Sequence, residues 1–140
     1  MTWPAGPFQA PAGAQGDRET GSAVADFAMV AGLLSLLFVA VFQLGLALHI
    51  RNTLISCASE GARYGARDGA TLQDGEARTK QLIRAGLPGR YADNVSAEES
   101  TTADGIVVVQ VRIEAPLPVL GPLGPDRVLS VGARAFSERQ

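Results

Sequence analysis

The chain has a single cysteine, Cys57, and a single histidine, His49. One cysteine excludes an intrachain disulfide framework and a Cys-rich zinc site, and one histidine excludes a His-rich metal cluster. There is no G-x-S-x-G, no P-loop, no H-E-x-x-H and no C-x-x-C, so no catalytic or phosphate-cradling motif is present. Positive charge is not in excess: twelve Lys/Arg stand against fourteen Asp/Glu, a formal net charge of −2. That balance supplies no general electrostatic reason to bind nucleic acid. The modest basic run Arg78, Lys80, Arg84 and Arg90 is surrounded by Asp74, Glu76 and Asp93. These shortages predict a protein that is not an enzyme and needs no cofactor or metal. A length of 140 residues suits one domain, not two of ordinary size.

Charge is also missing locally. From Phe27 to Leu48 there are 22 residues without Asp, Glu, Lys, Arg or His, and the clearly polar side chains are Ser35 and Gln43. As a helix this stretch rises about 33 Å, against a hydrocarbon core of about 30 Å. Leu, Ala, Val and Phe line every face, unlike the narrow apolar stripe of a surface helix. The reading is a membrane-spanning helix over 22–48 in contact with the lipid bilayer. A cleavable secretory signal fits poorly. It wants a cationic start, whereas Asp17, Arg18 and Glu19 sum to −1, and no A-x-A-like site precedes His49-Ile50-Arg51-Asn52.

Residues 1–21 read as a disordered leader, because Pro4, Pro7 and Pro11 interrupt helix and few large apolar groups are present. The helix is expected to start near Ser22 and to continue past the membrane as an extension over 49–70. Along it Leu54, Ala58, Ala62 and Ala66 share a face, and Gly61, Gly65 and Gly69 recur every fourth residue. Ala58, Gly61, Ala62 and Gly65 form a small-residue stripe that lets another backbone approach. Each glycine costs about 1 kcal/mol relative to Ala inside a helix. Either the stripe is a packing groove or the helix frays there; the pattern alone leaves both open.

A module over 71–140 follows. A short helix is expected from Gly75 to Leu87, ended by Gly86 and Pro88-Gly89. Residues 106–115, IVVVQVRIEA, alternate as a strand, with Val107, Val109, Val111 and Ile113 on one face. Asp104-Gly105 signals a turn, so Val95 to Thr101 is the preceding hairpin strand. A last strand, Arg127 to Ser137, puts Leu129, Val131, Ala133 and Ala135 on one face. The segment PLPVLGPLGP over 116–125 is too rich in Pro and Gly for regular structure. Glu98-Glu99 reads as part of a solvated hairpin, since adjacent strand residues point to opposite faces. The fold class is α+β: a long N-terminal transmembrane helix running into a small domain with a short helix and an antiparallel sheet of about three strands.

One acid stands at the edge of the apolar run. Asp26 is the fifth residue counted from Ser22, Gly21 precedes Ser22, and Phe27 follows the acid. An ionisable group at a membrane helix is costly and usually paired or functional, although an acid in a first turn also suits the helix dipole. A hydrophilic leader, Gly, four small or apolar residues, an acid, an aromatic and a long apolar helix together resemble the prepilin-peptidase processing site of type IV pilin-like proteins. The acid–aromatic pair resembles the tight-adherence (Flp) branch. The continuation RNTLISCASEGARYGAR, residues 51–67, is similar to TadE-like proteins, with Glu60-Gly61-Ala62-Arg63-Tyr64 matching their "EGARYA" run. The family usually carries Glu where this chain has Asp26.

The resemblance implies a pilin-like fold and a TadE-like minor pilin or pseudopilin, a membrane-anchored structural subunit supporting assembly of a tight-adherence pilus. It implies cleavage between Gly21 and Ser22, and an assembly and register role for Asp26 and Phe27. Glu60, Arg63 and Tyr64 become candidate partner contacts, with Arg63 also able to pair with Glu60 within its own helix. Expected partners are a prepilin peptidase, the inner-membrane pilus assembly platform and other pilin-like subunits. The expected location is the cytoplasmic membrane, N-terminus inside and C-terminal module outside. The cations point the other way: Arg18 precedes the span, while Arg51, Arg63 and Arg67 follow it, a bias that places the C-terminus inside. The rival reading is an unprocessed single-span protein whose extracytoplasmic module binds a ligand or partner.

Overall fold

The structure, a computed structural model, describes residues 1–2, 6, 16–117 and 128–137. The chain divides into two units, Met1–Val41 and Phe42–Gln140. The order of elements is helix α1 (Gly16–Gly65), helix α2 (Leu72–Gly86), a 3-10 turn (Gly89–Ala92), and strands β1 (Asn94–Thr101), β2 (Val107–Pro116) and β3 (Val128–Phe136). The class is α+β, with a long apolar N-terminal helix, a short helix and a three-stranded antiparallel sheet.

In the first unit α1 carries the apolar run, and this helix is long and apolar enough to cross a membrane. From Gly21 to Val30 every residue is exposed, including Phe27 at 75%. An exposed surface of Leu, Phe and Val on all sides is stable only in an apolar solvent. The helix begins at Gly16, not near Ser22. Pro11 is the last proline before it, and nothing between Gly16 and Ser22 breaks the backbone hydrogen-bond ladder. Residues 3–5 and 7–15 of the leader, with Pro4, Pro7 and Pro11, lie outside the described residues.

The second unit has one core. Ile50, Leu54, Cys57, Ala58 and Ala62 from α1 join Ile83 of α2, Tyr91 and Ala92 of the 3-10 turn, and Val95, Val111, Ile113, Ala115 and Val131 of the sheet. The expected extension over 49–70 is shorter than the pattern suggested: α1 ends at Gly65, and Gly69 takes a left-handed turn at φ +78°. Helix α2 starts at Leu72, three residues before the expected Gly75. The reason is a capping box: the Thr71 hydroxyl accepts from the Asp74 amide at 3.2 Å, while the Asp74 carboxylate accepts from the Thr71 amide at 2.9 Å. Two orphan amide donors are thereby satisfied reciprocally.

Strand order is β1-β2-β3, all antiparallel. The β1–β2 turn is closed by Gly105 at φ +80°, with its amide donating to Thr102 O at 2.9 Å. The face carrying Val109, Val111, Ile113 and Ala115 of β2 is buried, as the alternation requires. The opposite face is wetter but carries Val108 and Gln110, both buried. Most of PLPVLGPLGP, from residue 118 on, lies outside the described residues; Pro116 is the last residue of β2.

Candidate functional site

The processing-site residues stand on α1 in the first unit. Gly21, Ser22, Asp26 and Phe27 are all exposed on an uninterrupted helix. A Cβ added at Gly21 meets nothing within 4 Å. Ser22 and Asp26 are four residues apart, which puts them on one face of α1 about one turn apart. Asp26 has no hydrogen bond or ion pair among the described residues.

The small-residue stripe is buried in the second unit, and the backbone that meets it belongs to the same chain. Ala58, Gly61, Ala62 and Gly65 are all buried. A Cβ at Gly61 would stand 1.7 Å from Thr79 Oγ1 and 2.8 Å from Gly75 O. One at Gly65 would meet the Cα of Gly75 at 3.3 Å, and one at Gly75 would lie 2.9 Å from Gly61 O. So α1 and α2 cross at three glycines, with no room for a side chain at Gly61 or Gly75 and a tight fit at Gly65. Thr79 fills the space over Gly61 and donates its hydroxyl to Gly75 O of its own helix at 2.8 Å. The stripe therefore serves the fold of the module. In the sequence Gly75 reads only as a helix start and Thr79 carries no signal, because a partner for the stripe cannot be read from the stripe itself.

The Glu60–Tyr64 run splits. Glu60 is half-buried; Arg63 and Tyr64 are exposed, and no bond joins Arg63 to Glu60 among the described residues. Arg67 stacks over the Tyr64 ring at 5.3 Å, and Tyr64 also lines a shallow depression against Asp74, Ala77, Arg78 and Gln81 of α2. Arg63 and Arg67 instead line a cleft of about 510 Å³ together with Ala66 and with Arg134, Ala135 and Phe136 of β3. Arg134 donates from Nε to Gln110 Oε1 at 2.7 Å. Arg134 and Phe136 carried no signal in the sequence, where their strand was read for its inward face. The capping box was legible in Thr71-x-x-Asp74, a Ser/Thr followed three residues on by an acid. Its two hydrogen bonds from Thr71 hold the Asp74 carboxyl below the usual carboxylate value. His49 is exposed on α1, and Cys57 is a buried free thiol.

These features define a class: a small α+β module on one helix long and apolar enough to cross a membrane, with an acid near the start of its apolar run. Comparison with known families adds a partial match. Residues 21–63 match the family model of TadE-like protein. Over that segment the chain is similar to TadE-like protein. The match opens at Gly21, closes at Arg63, and stops before α2 and the sheet. No curated protein and no solved structure matches the chain.

Proposed function

We propose that the chain is a TadE-like minor pilin or pseudopilin, a non-enzymatic single-span subunit that supports assembly of a tight-adherence pilus. The observation that carries this reading is where the family match begins: at Gly21, the residue before the inferred cut, with the whole apolar run inside it. Cleavage by a membrane-embedded prepilin peptidase frees the α-amino group of Ser22, with an ordinary pKa of about 7.7–8.0. In an apolar setting that cation needs a counter-charge, because an unpaired buried charge is far more costly than a paired one. Asp26 is the nearest acid on the apolar helix. Pairing with the amine of a neighbouring subunit sets axial register, while the oily surface of α1, with Phe27 at its start, supplies the packing. The other partners are the inner-membrane assembly platform and further pilin-like subunits. The module lies outside the cytoplasmic membrane.

The mature N-terminus, read by mass spectrometry from cells that contain the peptidase, tests the reading. A chain starting at Ser22 supports it. Asp26→Ala is then expected to insert in the membrane but to drop out of the assembly complex. One observation favours the rival, an unprocessed anchor for a binding module: α1 runs as helix straight through Gly21–Ser22. A protease must unwind that turn, and Gly21 is the residue whose helix is weakest there. An intact leader in peptidase-positive cells decides for the rival.

A further inference from the structure

The sheet of the module is electrically lopsided. Between Tyr91 and Val111 the chain carries four acids, Asp93, Glu98, Glu99 and Asp104, and no Lys or Arg. Asp93 precedes β1, Glu98 and Glu99 lie on it and Asp104 is in its turn, and all four are exposed. The opposite edge is cationic: Arg134 of β3 shares the 510 Å³ cleft with Arg63 and Arg67 of α1, and no acid lines it among the described residues. Phe136, 69% exposed, forms its apolar wall.

Register makes the two edges match. Glu98 pairs across to Gln110, and Gln110 to Arg134, so acid, amide and base lie in one row. Arg134 already uses Nε on Gln110, which leaves the other guanidinium N–H groups for a further acceptor. β1 and β3 are the outer strands of the described sheet. A second copy shifted sideways along the sheet brings its Glu98 to the level of Arg134 of the first, about one strand spacing of 4.8 Å away. Its Glu99 falls at the level of Ala135, which lines the cleft beside Arg63 and Arg67. Lipid headgroups are a poorer match for the cleft, because Arg63 is fifteen residues past Leu48, about 22 Å further along α1.

We propose that the arginine cleft at the β3 edge is a docking site for the acidic β1 edge of a second copy of this chain. The contact is head-to-tail, so each bound copy presents a fresh cleft, and repetition gives a ring or a helical row. Charge pairing of this kind selects the partner and its register. The inference names a module-to-module contact for the pilin-like reading. It rests on the charge layout alone, so it stands or falls whether or not Gly21–Ser22 is cut.

The test uses full-length chains in detergent, in a Cys57→Ser background. One carries Asn94→Cys on β1 and the other Ser130→Cys on β3, exposed positions in one cross-strand row. Mixed chains oxidised by copper–phenanthroline in air are expected to give a disulfide-linked pair that neither gives alone, with a yield that falls as salt rises. Arg63→Glu, Arg67→Glu and Arg134→Glu on the β3 partner should cut that yield about tenfold, and Glu98→Arg with Glu99→Arg on the β1 partner should restore it. If the triple variant unfolds by circular dichroism, Arg63→Glu with Arg67→Glu gives the same readout without touching the sheet. Equal cross-linking in unmixed chains, no mixed pair at low salt, or a yield indifferent to the charge swaps overturns the proposal.

Discussion

The same helix solves two different problems along its length. Around Phe27–Leu44 its large side chains are exposed, Leu33, Leu36, Phe38 and Phe42 at more than 60%. Around Leu54–Ala66 the buried positions are Leu54, Cys57, Ala58, Gly61, Ala62, Gly65 and Ala66, nearly all small. In lipid, a solvent that conforms to any shape, bulk and apolarity suffice for the first region. The second meets fixed backbone and side chains, so volume is dictated atom by atom. Hydropathy measures the first requirement and is blind to the second.

The contrast can be broken at either end. The largest effect is expected from Leu36→Arg with Val39→Arg. Two cations at mid-span cost about 5–7 kcal/mol of insertion free energy, so the chain should leave the membrane fraction on alkaline extraction. Next is the packed region. Leu54, fully buried, should lose about 2–5 kcal/mol of module stability as Leu54→Ala. Gly61→Ala adds one methyl and should still lose about 1–3 kcal/mol by overpacking, because Thr79 and the Gly75 carbonyl stand in its place. Thermal melting monitored by circular dichroism reads both. A Gly61→Ala chain that melts at the wild-type temperature would show that the helices do not cross as described.

A smaller effect belongs to the α2 cap. Thr71→Ala should lose about 1 kcal/mol. The Asp74 carboxyl is held below its ordinary value of 3.8 in the folded chain. A depressed folded value means stability that is present above the unfolded value and lost as pH falls through the folded one. Wild type should therefore lose stability below about pH 4, and Asp74→Asn should flatten that part of the curve in acid melts. The smallest effect is expected from Leu34→Ala, at a 60% exposed position. It should shift the module's melting by less than about 0.5 kcal/mol, a sharp contrast with Leu54→Ala on the same helix.

Strand periodicity was legible to within a residue or two. Val107 to Ile113 alternate because one face of the sheet is buried, and the Asp104-Gly105 turn is required by a positive φ that glycine tolerates. Helix ends were less legible. The Gly75 start was set by apolar spacing, whereas hydrogen bonds at Thr71 and Asp74 begin α2 at Leu72. The early start of α1 at Gly16 has the same origin, since polar residues without proline accept helix as readily as coil.

The apolar span, the TadE-like beginning and the strand pattern are local facts, written in runs and spacings that act through nearest neighbours and solvent. What closes on the glycine stripe is not local. That Gly61 and Gly65 receive Gly75, and that Glu98 shares a row with Arg134 through Gln110, depends on segments far apart in the chain being folded together. Side-chain spacing states which face is small or charged. Only tertiary packing and strand register decide what that face meets, because the meeting distance is fixed by the whole module and not by either segment.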